Sequence, residues 1–302
     1  MTYLLFVLGL LGLFFGGEFL VRGASSIARR FGISPLVIGL TIVGFGTSAP
    51  ELLVSVNAAL AGQPAIAIGN VLGSNIANIL LILGVSALIA PLIIPARRLA
   101  RDLAFMLLAT GAIWVMLLDG MVTRLEGGLL LVGLAAFLYM AFTSGSVEQE
   151  DDPLETSVAK AALMTVGGLV ALVIGAHFLV ESASTIARTY GISEAVIGLT
   201  IVAVGTSLPE LATSVIAAFR RQTEIAVGNV IGSNIFNIFS ILGITALIAP
   251  IPADARFAAI DMPWVAGTAV GLTILAVWLG GLPRLAGAVL LAAYGGYLAL
   301  MG

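Results

Sequence analysis

Two carboxylates stand where a carboxylate is costly. Glu51 closes the segment Gly44-Phe45-Gly46-Thr47-Ser48-Ala49-Pro50-Glu51, and Glu210 closes Ala203-Val204-Gly205-Thr206-Ser207-Leu208-Pro209-Glu210, both inside long apolar runs. An acid at the centre of a membrane helix costs about 2.5–3.5 kcal/mol on insertion scales, so two at matched positions imply a shared purpose. Thr47 and Ser48 precede Glu51 by four and three residues, a spacing that puts all three on one helical face. Pro50 has no N–H, and its ring clashes with the carbonyl of Gly46; Pro209 does the same to Gly205. Carbonyls around Gly44 to Thr47 and Ala203 to Thr206 are therefore expected to lack helical partners. At membrane depth that is tolerable only where protein, water or an ion satisfies them.

The next apolar run of each half adds oxygen: Ser74 and Asn78 are four apart, as are Ser233 and Asn237. Carboxylate, hydroxyl, amide and carbonyl oxygens together form a hard-cation inventory, and calcium accepts six to eight such ligands in irregular geometry. With no cysteine and one histidine, His177, the chain offers a softer metal nothing. The same histidine count excludes a zinc-protease helix motif, and the sole lysine, Lys160, lies too near a boundary to activate a serine. No enzyme, resident cofactor or nucleic-acid partner is expected. Single Gly and Ser positions also have a packing reading, and Asn70, Asn229, Asn75 and Asn234 read as hydrogen-bonding links between helices.

The elements that must carry these groups are membrane helices. Of 302 residues, 60% are hydrophobic and 10% charged, with mean hydropathy +1.15; a soluble domain carries about 25% charge. Met1 to Phe15 lacks a basic start and a cleavage site, so it reads as part of the first span rather than a signal peptide. Spans are predicted at 3–22, 35–60, 65–90, 102–119, 126–143, 158–181, 194–219, 225–249, 257–279 and 283–301. That is an all-α polytopic protein of about ten helices. Residues 1–143 and 158–302 form two five-helix repeats, joined by an acidic linker over 144–157. The linker lacks the ligand spacing of an EF-hand and reads as solvated.

The halves are duplicates. Glu210 follows Glu51 by 159 positions, Asn237 follows Asn78 by the same interval, and Val37 to Val43 is identical to Val196 to Val202. Five spans per half invert the second repeat. The implied loop partition puts Arg22, Arg29, Arg30, Arg97, Arg98, Arg101, Lys160, Arg220, Arg221 and Arg284 on one side, leaving Arg124, Arg188 and Arg256 opposite. The basic side is expected to be cytoplasmic, with both termini outside and the linker inside, in the plasma (inner) membrane. Inverted repeats with broken helices are the build of many secondary transporters.

The two motif blocks resemble the alpha repeats of the cation/calcium antiporter superfamily, specifically its sodium/calcium exchanger family, across both halves. The resemblance implies antiport of Ca2+ against Na+ by alternating access. It implies Glu51 and Glu210 as central calcium ligands, with the carbonyls of Thr47 and Thr206. Sodium sites would add Ser48, Ser74, Ser207, Ser233 and the carbonyls of Gly44 and Ala203, with Asn78 and Asn237 lining the middle. The first and sixth spans would form a gate bundle. Exchangers of this kind usually carry aspartate where Asn237 stands. With one acid fewer, a proton is an alternative counter-ion, in a Ca2+/H+ or Na+/H+ antiporter using the same glutamates. A passive cation channel is the reading from another class. Glu18 and His177 also match at 159 positions on the proposed gate helices and read as polar helix ends, with an effect on gating or pH response as the alternative; Asp102 and Asp261 match at the starts of the fourth and ninth helices.

Overall fold

A computed structural model describes residues 1–94, 96–143, 157–191 and 203–301. Among these the chain is almost wholly helical. The first half holds α1 (Thr2–Phe31), α2 (Pro35–Thr47), α3 (Ala49–Leu60), α4 (Pro64–Ile89), α5 (Ala96–Met116) and α6 (Arg124–Thr143). The second holds α7 (Val158–Thr189), α8 (Leu208–Phe219), α9 (Thr223–Ile248), α10 (Phe257–Leu279) and α11 (Arg284–Met301), with one helical turn, Ala203–Gly205, before α8.

Seven helices among the described residues are long and apolar enough to cross a membrane, or eight when α2 and α3 count as one bent span. Two shorter apolar helices, Leu208–Phe219 and Arg284–Leu300, complete the bundle. The start of the expected span 194–219 lies outside the described residues, as do Val196 to Val202 and linker residues 144–156.

Three features refine the sequence expectation. Helices α1 and α7 run to Phe31 and Thr189, well past the expected ends at 22 and 181. Hydropathy falls where charge begins, but a helix continues where basic residues such as Arg29, Arg30 and Arg188 suit its C-terminal dipole. The expected span 35–60 is two helices meeting at 43°, with Ser48 at φ −81°, ψ 5°. Pro50 sits in the first turn of α3, where its missing N–H costs nothing, so the break falls just before it. Finally, the connections form two short ladders: β1 (Leu92–Ile93) with β4 (Gly281–Leu282), and β2 (Met121–Val122) with β3 (Ile251–Pro252). They lie at opposite ends of α5, so each end of the bundle is tied by strands from both halves.

The core centres on α4 and α9. Their most apolar windows are 72% and 83% buried, whereas none of the other five long spanning helices exceeds 39%. Helices α1 and α7 pack together at the side. A Cβ on Gly16 would lie 2.9 Å from the Gly168 carbonyl, and one on Gly168 would lie 2.5 Å from the Leu20 nitrogen. Only glycine lets these backbones approach so closely.

Candidate cation-binding site

The breaks before α3 and α8 put both carboxylates at helix N-termini. Glu51 stands in the first turn of α3 and Glu210 in the first turn of α8, and both side chains are fully buried. Ser207 has nearly the conformation of Ser48, at φ −86°, ψ 7°. A carboxylate suits the positive end of a helix dipole. Neither glutamate makes an ion pair among the described residues.

The two halves complete each other. Ser48 Oγ donates to Glu210 Oε1 at 3.0 Å, and Ser207 Oγ donates to Glu51 Oε1 at 3.2 Å. The serine therefore serves the opposite half's carboxylate. The spacing of Thr47, Ser48 and Glu51 within one motif does not reveal this crossing, since the partner of Ser48 comes from the other half. The Thr47 hydroxyl lies 3.1 Å from both the Val43 carbonyl and Asn229 Oδ1. Thr206 Oγ1 faces Asn70 Oδ1 at 3.5 Å, the weaker counterpart.

Asparagines fix the geometry around the acids. Asn70 Nδ2 donates to the Glu51 carbonyl at 3.1 Å and to Ser55 at 3.0 Å; Asn229 Nδ2 donates to the Glu210 carbonyl at 3.2 Å and to Ser214 at 2.9 Å. At the centre, Asn75 Nδ2 donates to the Asn234 carbonyl at 3.2 Å, and Asn234 Nδ2 returns the bond to Asn75 at 3.3 Å. Their side-chain oxygens then accept from Asn237 and Asn78 respectively, each at 3.0 Å. This chain of donors sets which way the last two amides face. Asn78 and Asn237 each begin a π-helical turn, over Asn78–Ile82 and Asn237–Leu242. Such turns recur at functional positions.

Of the ten buried side-chain atoms without a hydrogen-bond partner among the described residues, four acceptors belong to this centre. Glu51 Oε2, Glu210 Oε2, Asn78 Oδ1 and Asn237 Oδ1 are buried without a hydrogen-bond partner. Buried acceptors without donors are unfavourable unless a cation or proton satisfies them. These four belong to the residues the sequence puts at the centre. The expected serines lie next to them: Ser207 Oγ is 3.4 Å from Ser74 Oγ, and Ser233 Oγ donates to the Gly44 carbonyl at 3.2 Å. The Gly44 carbonyl also accepts from Ser48 N at 3.2 Å, so it is not the free carbonyl that Pro50 led one to expect. Ala203 opens the helical turn before Ser207 at the corresponding place. Ser55 and Ser214, which hold the asparagines beside each acid, carry no motif signal and escape the sequence reading.

Comparison with known proteins identifies relatives over nearly the whole chain. The family model described as sodium/calcium exchanger protein matches residues 1–143 and 160–302. The putative antiporter CaxA of Alkalimonas amylolytica is 42% identical, over 97% of this chain and 96% of its own length. The inner membrane protein YrbG of Escherichia coli (strain K12) is 41% identical, over 82% of this chain and 79% of its own. A solved structure of the sodium-calcium exchanger NCX_Mj superposes with a TM-score of 0.88 at 36% identity, covering 99% of this chain and 97% of that one.

Proposed function

The chain belongs to the sodium/calcium exchanger family, and from that premise we propose that it is a secondary antiporter exchanging Ca2+ for Na+ by alternating access. The family is one of multi-pass membrane transporters with Ca2+ and Na+ as substrates and no cofactor. The observation that carries the reading is the set of four buried, unpartnered oxygens from Glu51, Glu210, Asn78 and Asn237. Two carboxylates balance one Ca2+, and flanking amide and hydroxyl oxygens replace part of its hydration shell.

The ligand set is Glu51 and Glu210, with the carbonyls of Thr47 and Thr206 completing calcium. Sodium draws on Ser48, Ser207, Ser74 and Ser233, on the carbonyls of Gly44 and Ala203, and on Asn78 and Asn237 at the middle. The architecture is ten spans in two inverted five-helix repeats, 1–143 and 158–302. The exchange of the serine–glutamate and central asparagine contacts between halves supports a two-fold relation between them. With the basic loops cytoplasmic, both termini lie outside and the 144–157 linker inside the inner membrane.

The decisive measurement is calcium uptake into sealed proteoliposomes under an imposed sodium gradient. Uphill uptake that saturates with calcium and collapses when the gradient is removed is the expected result. Uptake indifferent to sodium overturns the reading; dependence on a proton gradient instead identifies the second reading. The proton is favoured as alternative by the absence of a third acid, because two carboxylates leave several sodium ions with net positive charge.

A further inference from the structure

The centre of the molecule obeys the two-fold exchange between halves, but its side does not. A Cβ on Gly17 of α1 would lie 2.6 Å from Ile216 and 3.4 Å from the Ala212 carbonyl of α8. The matching face of α3 is open: Leu53, the counterpart of Ala212, is 62% exposed, and Val54 is 36% exposed where Thr213 is fully buried. The α1–α7 pair thus leans on α8 rather than on α3.

Polar contacts follow the same bias. Ser25 of α1 donates to Gln222, just beyond α8, at 2.5 Å. Its counterpart Ser184 is buried with no partner, while Gln63, the counterpart of Gln222, is exposed. Here the duplication supplies the same chemistry at both ends, and only one copy is made.

A second contact has no copy to make. Arg220 grips Glu18 through both Nε, at 2.6 Å from Oε2, and Nη2, which meets Oε1; Arg22 adds a contact at 2.6 Å. The positions 159 residues away are His177 for Glu18 and Ala61 for Arg220. Among the described residues, the acidic neighbour of His177 is Glu181 of its own helix, at 3.6 Å. If the α1–α7 pair moved to lean on α3, Ser184 would meet Gln63, but nothing would replace the ion pair.

We propose that the Glu18–Arg220 ion pair is a one-sided latch, holding α1 against α8 and biasing the protein toward the arrangement seen here. The inference rests on the alternating-access reading, since a latch needs a second arrangement to oppose. A bidentate guanidinium–carboxylate contact also fixes geometry, so it resists sliding of α1 along α8 more than a single lysine contact would.

The absence of cysteine makes the test direct. Single-cysteine reporters, Val54→Cys on α3 and Thr213→Cys on α8, are labelled in proteoliposomes with a membrane-impermeant maleimide from each side. In the otherwise unaltered protein, position 54 should react and position 213 should be protected. Glu18→Gln, and separately Arg220→Gln, should raise the 213-to-54 labelling ratio about three- to fivefold, the scale of a partly exposed ion pair. Building the missing copy with His177→Glu and Ala61→Arg should raise it as well, by adding a latch to the other arrangement. A ratio that exchanging sodium for calcium moves, but that none of these substitutions moves, overturns the latch and leaves alternating access standing. A ratio that no ion condition moves overturns both.

Discussion

Replacing Glu51 and Glu210 with glutamine should reduce calcium uptake to the level of empty liposomes while leaving the protein folded. Glutamine keeps the shape and can still accept from Ser207 or Ser48, which lie 3.2 and 3.0 Å from the carboxylates. What disappears is the charge that balances a divalent ion at a fully buried position. Removing one partner of a buried charge pair costs about 3–5 kcal/mol, which is roughly 10²- to 4 × 10³-fold in calcium affinity per glutamate. Calorimetric titration with Ca2+ and uptake by the single and double variants separate lost binding from lost turnover. Either single variant retaining normal affinity would remove that glutamate from the site. Ser48→Ala provides the graded comparison: it deletes one hydrogen bond to Glu210, worth about 1.5–3 kcal/mol to a charged acceptor, so its affinity loss should be smaller than that of Glu210→Gln.

The second large effect is structural. Gly232 lies where α9 crosses α2, and a Cβ there would sit 2.2 Å from the Leu40 carbonyl oxygen and 2.8 Å from its Cα. Both groups are backbone, so no side chain can swing aside. Gly232→Ala should cost about 3 kcal/mol, the upper part of the range for overpacking, and lower the melting temperature by at least about 5 °C. It should also weaken transport in the surviving protein, because the neighbouring Ser233 holds the Gly44 carbonyl across this crossing. Gly267→Ala, at a position with nothing within 4 Å, should change neither reading. A Gly232→Ala protein as stable as its parent would show that the helices separate freely at this point.

The sequence is most informative where its cost is highest. Glu51 and Glu210 are unmistakable because an acid in an apolar run needs a reason, and the helix break could be expected because Pro50 and Pro209 each remove a donor. The duplication was readable from the constant interval between paired residues. What could not be read was the partner of each group. Intrahelical spacing pairs Ser48 with Glu51, yet Ser48 bonds to Glu210, because the break ends the periodicity on which that pairing relies. The π-helical turns at Asn78 and Asn237 were equally hidden, since they answer to packing between α4 and α9 rather than to local preference. Glu18 looked like a polar helix end; its grip on Arg220, 202 positions away, appears only when the two helices meet.

The crossed serine–glutamate bonds also bear on how ions are counted. Each carboxylate is held by a hydroxyl from the other repeat, so a cation that draws Ser48 toward itself also releases Glu210, and one that draws Ser207 releases Glu51. The two half-sites therefore cannot load as independent vessels. An ion arriving on one side changes the ligands open to the next at once, through one bond and with no helix needing to move. On the proposed ligand set, competition between unlike cations follows from these two bonds before any gate responds.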